Sequence, residues 1–330
     1  MRIIDVHTHV IPKAFFDMID EGILQGIAAE KKDGKYFRIV FADSSAHPLS
    51  DLFLSASARL EFMQEKGIDC QVISISPRLF FYDLPEDEAT EVCKRFNDEL
   101  LTIQENYSGR QIAMGTLPMQ FPDLAVKELE RIYKNGMRSA QIGTFVNGRN
   151  LSEEEFWPVF AAAERLSISI MVHPLITNEI MQMKKYHISN LVGNPWQTTV
   201  AIENMIFSGL FERFPALKIL LVHGGGFLPY QMGRMVHGYK VRAEAKKEIP
   251  HNPDTYVKRN IFFDGLTHSE ESLAFLLQFA GSEKVMFGTD FPYDMAEYDQ
   301  LGKAVKAGLK EDELEAFTCK NAELWLRERQ

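Results

Sequence analysis

Eight short apolar runs, separated by stretches of helical period, constrain the fold of this 330-residue chain more than any other feature. They are residues 2–6, 70–75, 112–116, 137–143, 168–172, 217–222, 261–264 and 285–288. Several are near-continuous in Val, Ile, Leu and Phe, the pattern of strands buried on both faces. Between many of them the spacing predicts helices, over 11–20, 56–66, 85–107, 123–135, 152–166 and 197–212. In the third of these, Val92, Phe96, Leu100, Leu101 and Ile103 share one face. Strands that alternate with helices run parallel. The expected fold class is therefore α/β, a (β/α)8 TIM barrel, because an open sheet of eight strands leaves two edges to protect. An open doubly wound sheet is the alternative. It normally carries a glycine-rich phosphate turn early, and this chain has none.

Two regions depart from the alternation. Residues 21–55 carry Gly22, Gly26, Gly34 and Pro48 and are expected to form an irregular insertion after the first strand, with 35–41 as a small hairpin strand. An excursion of that length usually serves function. Residues 303–330 read as C-terminal helices on the outside, with Leu309, Leu314, Phe317 and Leu324 as their apolar positions. No linker or repeat divides the chain, so 1–330 is read as one domain.

A net charge of −10 argues against nucleic acid as a partner. It leaves room for an anionic substrate held by local arginines. Cys70, Cys93 and Cys319 fit neither a zinc spacing nor a disulfide framework, so a reducing, cytoplasmic location is expected. The first apolar run is too short for a signal peptide, and no stretch approaches the ~18 apolar residues of a membrane span.

The chemistry gathers at the strand ends. Asp5-Val6-His7-Thr8-His9 places two histidines just past the first strand, and side chains two apart face the same way. The fifth run ends at His173. The sixth ends at His223, followed by Gly224, Gly225 and Gly226. The eighth leads to Asp290 in Phe287-Gly288-Thr289-Asp290-Phe291-Pro292. Singly, each has a plain structural reading, as a hydrogen-bonded histidine or a turn aspartate. In a barrel, however, all these ends lie on the face that carries active sites. His7, His9, His173 and Asp290 are then the expected ligands of one divalent metal per chain, with a coordination position left open. Nitrogen and carboxylate donors without thiolate suit Zn2+, with Mn2+, Fe2+ or Co2+ as substitutes. His223 is the expected general acid or base, and Asp290 is able to serve both as ligand and as proton acceptor. The three glycines let the backbone come close to the pocket.

This set resembles the amidohydrolase superfamily, and within it the branch of 2-amino-3-carboxymuconate-6-semialdehyde decarboxylase and related metal-dependent decarboxylases. The carrying stretches are Asp5 to His9, Met171-Val172-His173-Pro174, Val222 to Gly226 with Pro229, Gly233 and Arg234, and Gly288 to Pro292. Gln141-Ile142-Gly143 stands where binuclear members would place a lysine, which agrees with a mononuclear site. The resemblance implies non-oxidative decarboxylation of a small conjugated or aromatic carboxylate. Hydrolysis of an amide, lactone or similar bond is the alternative the same parts would support. It further implies that Arg38 and Trp196 contact substrate, and that Arg234 and Arg242 reach across the interface of a homodimer. His47 and His187 are read as loop residues near the substrate at most. His237, His251 and His268 are read as surface or supporting residues.

Overall fold

The computed structural model describes residues 1–175 and 183–326. Eight parallel strand positions follow one another along the chain: β1 (Ile4–Val10), β2 (Cys70–Ile75), β3 (Gln111–Ala113, continued by Gly115–Thr116), β4 (Ser139–Gly143), β5 (Ser169–His173), β6 (Ile219–Leu221), β7 (Ile261–Asp264) and β8 (Val285–Met286). β1 pairs with β2 and β2 with β3, and the second part of β3 starts the continuous ladder β3-β4-β5-β6-β7-β8. The seam between first and last strands is closed by Val6 N to Phe287 O (3.0 Å), Asp290 N to His7 O (2.8 Å) and His9 N to Phe291 O (2.7 Å). Thr8 forms a parallel bridge with Phe291 at the same place. The molecule is a TIM barrel.

Strand alternation sorts the apolar residues into two cores. Val72, Met114, Met171, Leu220, Phe262 and Met286 cluster with Ile4, Val6 and Trp325, filling the barrel interior. Their neighbours Ile73, Ile170, Ile219, Phe263 and Val285 belong to the larger cluster shared with the helices. In β5 and β7 the inward row continues directly into chemistry: Met171 is followed on the same face by His173, and Phe262 by Asp264. β1 reaches the same result by another route. Asp5 pairs with Gln71 and Thr8 with Ile73, so β1 carries one extra residue between these points. This bulge reverses the parity, so that Ile4 and Val6 face inward below it and His7 and His9 face inward above it.

Several expectations are corrected. β1 does not stop at residue 6. It runs on to Val10 and contains both histidines, because β2 and residues 287–291 supply hydrogen-bond partners along its whole length. β8 stops at Met286, since Phe287 to Phe291 turn to meet β1. The strand expected at 35–41 is present as Lys35–Val40, but the rest of the insertion is not irregular: Ala28–Lys32 and Ala46–Pro48 flank it in a three-stranded antiparallel sheet. The flanking strands are largely exposed or only three residues long, so the hydrophobic alternation that marks a strand is missing there. The helices Leu228–Val241, Pro253–Asn260 and Glu270–Ala280 complete the later βα units and have no counterpart in the sequence reading. The expected terminal helices are short segments between Gln300 and Leu326, and the last four residues of that expectation lie outside the described residues. Among the described residues no helix is long and apolar enough to cross a membrane.

Candidate metal centre

His7, His173, His223 and Asp290 bring one possible ligand atom each within 4.8 Å of one another at the C-terminal mouth of the barrel. His9 stands beside them, its Nε2 3.2 Å from Asp290 Oδ1. The rings of His7, His9 and His173 have centroids 5.0 to 5.2 Å apart. The structure thus brings together all five residues that the sequence reading assigned to the centre.

The outer nitrogen of each ring decides what the inner one presents. His9 Nδ1 lies 3.1 Å from the carbonyl of Ile75, and His173 Nδ1 lies 2.7 Å from the carbonyl of Pro174. A carbonyl only accepts, so Nδ1 carries the proton in both rings and Nε2 keeps its lone pair. His7 Nδ1 faces Asp264 Oδ2 at 2.8 Å and donates in the same way. Three Nε2 lone pairs therefore converge. These three nitrogens and Asp290 Oδ1 are buried and have no hydrogen-bond partner. Buried polar atoms are nearly always paired, so a converging set of orphaned acceptors fits a cation between them. His223 differs. Its Nε2 lies 3.6 Å from Asp290 Oδ2, but its Nδ1 is buried without a partner, so nothing fixes its tautomer. A ligand is normally locked by such a partner; a proton carrier gains from being unlocked.

The electrostatics agree. Burial holds His173 well below the ordinary imidazole range, and its histidine neighbours add to the effect. Burial pushes His9 down to about 4. Burial alone would keep Asp290 protonated, but His7, His223 and His9 outweigh it and hold the carboxyl well below its usual range. Burial also favours neutral His7, yet Asp290 and Asp264 raise its pKa, because a positive charge between two carboxylates is favourable. Neutral His9 and His173 beside an ionised carboxylate suit a divalent ion, whose charge would stand in for the proton that the two carboxylates favour on His7.

Two residues that hold the centre were not singled out in the sequence. Asp264, fully buried at the end of β7, accepts from His7 Nδ1, from the backbone N–H groups of His223 (3.0 Å) and Gly224 (2.7 Å), and from Leu266 N–H (3.3 Å). Its signal was available: an aspartate closing an apolar strand, like Asp290 after β8. Asp5 accepts from Thr289 Oγ1 (2.6 Å), Thr289 N (3.0 Å) and His7 N (3.2 Å), tying β1 to the turn that presents Asp290. His223 and Asp290 both adopt left-handed backbone conformations, with φ of 56° and 63°. Such conformations are costly for residues with a Cβ and cluster at active sites.

Two cavities, of about 550 and 500 Å3, both open onto His223 and Asp290. The first is lined by His47, Arg78, His173, His187 and Tyr293, among others. The resemblance-based substrate residues lie elsewhere. Arg38 is paired with Glu30 on the exposed insertion sheet (2.7 and 3.0 Å). Trp196, Arg234 and Arg242 are exposed and line neither cavity, and Arg242 is paired with Glu244. The sequence motif marked them through neighbouring residues, and none of the four lines a cavity at this chain's own centre.

A family model described as amidohydrolase matches residues 4–327. The chain is 33% identical over 317 residues to 2-amino-3-carboxymuconate-6-semialdehyde decarboxylase of Dictyostelium discoideum, covering 92% of this chain and 86% of that one. Its fold is similar to that of 5-carboxyvanillate decarboxylase from Sphingomonas paucimobilis, with a TM-score of 0.84, 22% identity and 99% of both chains covered. It is likewise similar to the 5-carboxyvanillate decarboxylase of Novosphingobium aromaticivorans, solved with bound manganese and 3-methoxy-4-hydroxy-5-nitrobenzoic acid. That match has a TM-score of 0.83 and 23% identity, and covers 98% of this chain and 97% of that one. Strand order, converging donors and near-full-length similarity agree: this chain belongs to the amidohydrolase family, beside its 2-amino-3-carboxymuconate-6-semialdehyde decarboxylase-like members.

Proposed function

We propose that the chain is a metal-dependent, non-oxidative decarboxylase of a small conjugated or aromatic carboxylate. The observation that carries this reading is the set of inward lone pairs, each fixed by a partner on the outer nitrogen, beside one histidine that is left unfixed. His7, His9, His173 and Asp290 would hold the ion. Zn2+ is the ion we assign to this donor set; Mn2+, carried by a structural relative, is the competing outcome. When bound, a divalent ion supplies Lewis acidity that stabilises negative charge developing on the substrate.

The rest falls to the chain's own residues. In non-oxidative decarboxylation the C–C bond to the carboxylate breaks, CO2 departs, and a proton takes its place on carbon. His223, whose Nε2 lies 3.6 Å from Asp290 Oδ2, would deliver that proton. The cavity of about 550 Å3 suits a ring- or diene-sized acid.

The test is a panel of ring and muconate carboxylates incubated with Zn2+- or Mn2+-loaded protein while CO2 release is followed. Lactones and amides, followed by proton release, run in parallel. Turnover of at least one carboxylate is the expected result. Silence on every carboxylate together with turnover of a lactone or amide would replace the reading with hydrolysis. We also propose a homodimer, in which exposed Arg234 and Arg242 would meet a neighbouring subunit. Light scattering on the eluting protein reads this directly, and a monomer would remove their assigned role. The three cysteines are buried and unpaired, which suits the proposed cytoplasmic location.

A further inference from the structure

We propose that Arg78 binds the carboxylate of the substrate, in the cavity it shares with the metal centre. The proposal rests on the decarboxylase reading and names the residue that recognises the acid. Arg78 lies in the short turn Pro77–Leu79 that follows β2, on the active-site rim of the barrel. Among the described residues lining the cavity with His173, His223 and Asp290, it is the one Lys or Arg. The chain is acidic overall, so an anion entering this cavity needs a local cation, and Arg78 supplies it.

The guanidinium is held in place yet left largely uncommitted. It stacks on the ring of Phe41, 4.3 Å from the centroid, and donates from Nη2 to Ser45 Oγ. Its acidic neighbour, Asp43, is 3.8 Å away and half exposed, and accepts from Ser45 N–H at 2.9 Å. An ion pair that long and that wet contributes little. Of five N–H donors on the guanidinium, most stay available for a carboxylate, and the planar fork matches its two oxygens.

The trio of His47, Ser76 and Tyr293 has no donor to spare. His47 Nδ1 donates to the carbonyl of Pro48 at 2.7 Å, so its Nε2 accepts. Ser76 and Tyr293 share a proton at 2.6 Å, and the remaining hydroxyl proton goes to His47 Nε2, at 3.3 or 3.4 Å. This trio is satisfied internally and acts as wall. Phe53, Pro292 and Tyr293 add flat apolar surface. The occupant that fits is a planar, unsaturated acid with its carboxylate toward Arg78.

The test compares metal-loaded wild type, Arg78→Met and Arg78→Lys. Losing a charge-assisted contact predicts a rise of about 10- to 100-fold in KM for any carboxylate turned over, with kcat changed far less. Lysine restores part of the loss. Calorimetric titration with benzoate and with benzamide supplies a readout independent of turnover: Arg78→Met weakens benzoate by at least tenfold and leaves benzamide unchanged. Metal content and melting temperature should match wild type. If wild type turns over a carboxylate and Arg78→Met leaves KM and benzoate affinity unchanged, the proposal falls and the decarboxylase reading stands. If no carboxylate is turned over but benzoate binding depends on Arg78, the reverse holds. Equal loss of benzoate and benzamide, or failure of wild type to bind benzoate, overturns the assignment. Should Arg78→Met melt early, the Arg78→Lys comparison decides by the same benzoate-to-benzamide ratio.

Discussion

Replacing Asp264 by asparagine tests how the centre is held. Asp264 Oδ2 accepts from His7 Nδ1 and His223 N–H; Oδ1 accepts from Gly224 and Leu266 N–H. An asparagine has one acceptor oxygen. Whichever way the amide is turned, its NH2 meets two buried N–H donors. Each unsatisfied buried donor costs about 1–3 kcal/mol, so the loss is about 2–6 kcal/mol. With an unfolding entropy of about 2.1 cal/mol/K per residue, a 330-residue chain loses about 3–9 °C of melting temperature. One local escape exists. His7 can move its proton from Nδ1 to Nε2 and accept from the amide, but this removes the lone pair offered to the metal. Metal affinity should then fall about 10- to 100-fold. Melting is followed on chelated protein, so that metal release does not contaminate the stability term, and affinity by competition with a chromogenic chelator. A variant that melts within a degree of wild type and binds metal within a factor of two would refute the assignment of Asp264 as the residue that orients His7.

The other predictions concern the same centre. Metal at 1,000 times its Kd stabilises the fold by about 4 kcal/mol, so chelation should lower the melting temperature by several degrees and restored Zn2+ or Mn2+ should recover it; an unchanged melt would mean no tight site. His173→Ala should elute without metal, whereas His223→Ala should keep its metal and lose about 10²- to 10⁴-fold in turnover, read by elemental analysis and CO2 release. Metal-free His223→Ala would instead make His223 a ligand. Gly226→Ala should destabilise by about 1–3 kcal/mol, because a Cβ there sits 2.3 Å from the carbonyl oxygen of Pro195 on a backbone with φ of 64°. Gly233→Ala, with nothing within 4 Å of its Cβ, serves as the control and should be neutral or slightly stabilising in chemical denaturation.

The apolar runs and their spacing carried the barrel, because burial on both faces leaves few polar residues in a parallel strand. The same runs marked His7, His9, His173, His223 and Asp290, since each stands at or just past an apolar stretch. Of the insertion sheet the strand at 35–41 was legible, whereas Ala28–Lys32, largely exposed, and Ala46–Pro48, three residues long, offer no alternation to read. Of the three later helices, Leu228–Val241 and Pro253–Asn260 have apolar positions interrupted by glycine or charge, whereas Glu270–Ala280 is uninterrupted from Leu273 to Leu277 and was readable.

Other features depend on contacts between distant parts of the chain, and no local pattern encodes them. The extra residue in β1 that turns His7 inward is visible only against the register of β2. Asp264 becomes the holder of the centre because closing the barrel brings it to His7, 257 positions away in sequence. Arg78 looks like any loop arginine until the fold places it in the cavity with His223 and Asp290, while Arg38, Arg234 and Arg242 are left at the surface. The sequence alone determined which donor atoms exist and in which order the strands present them. The tertiary structure decided which of them face each other, which nitrogen of each ring is free, and which arginine shares their cavity. Those outcomes depend on packing and hydrogen bonds between residues that are neighbours only in space.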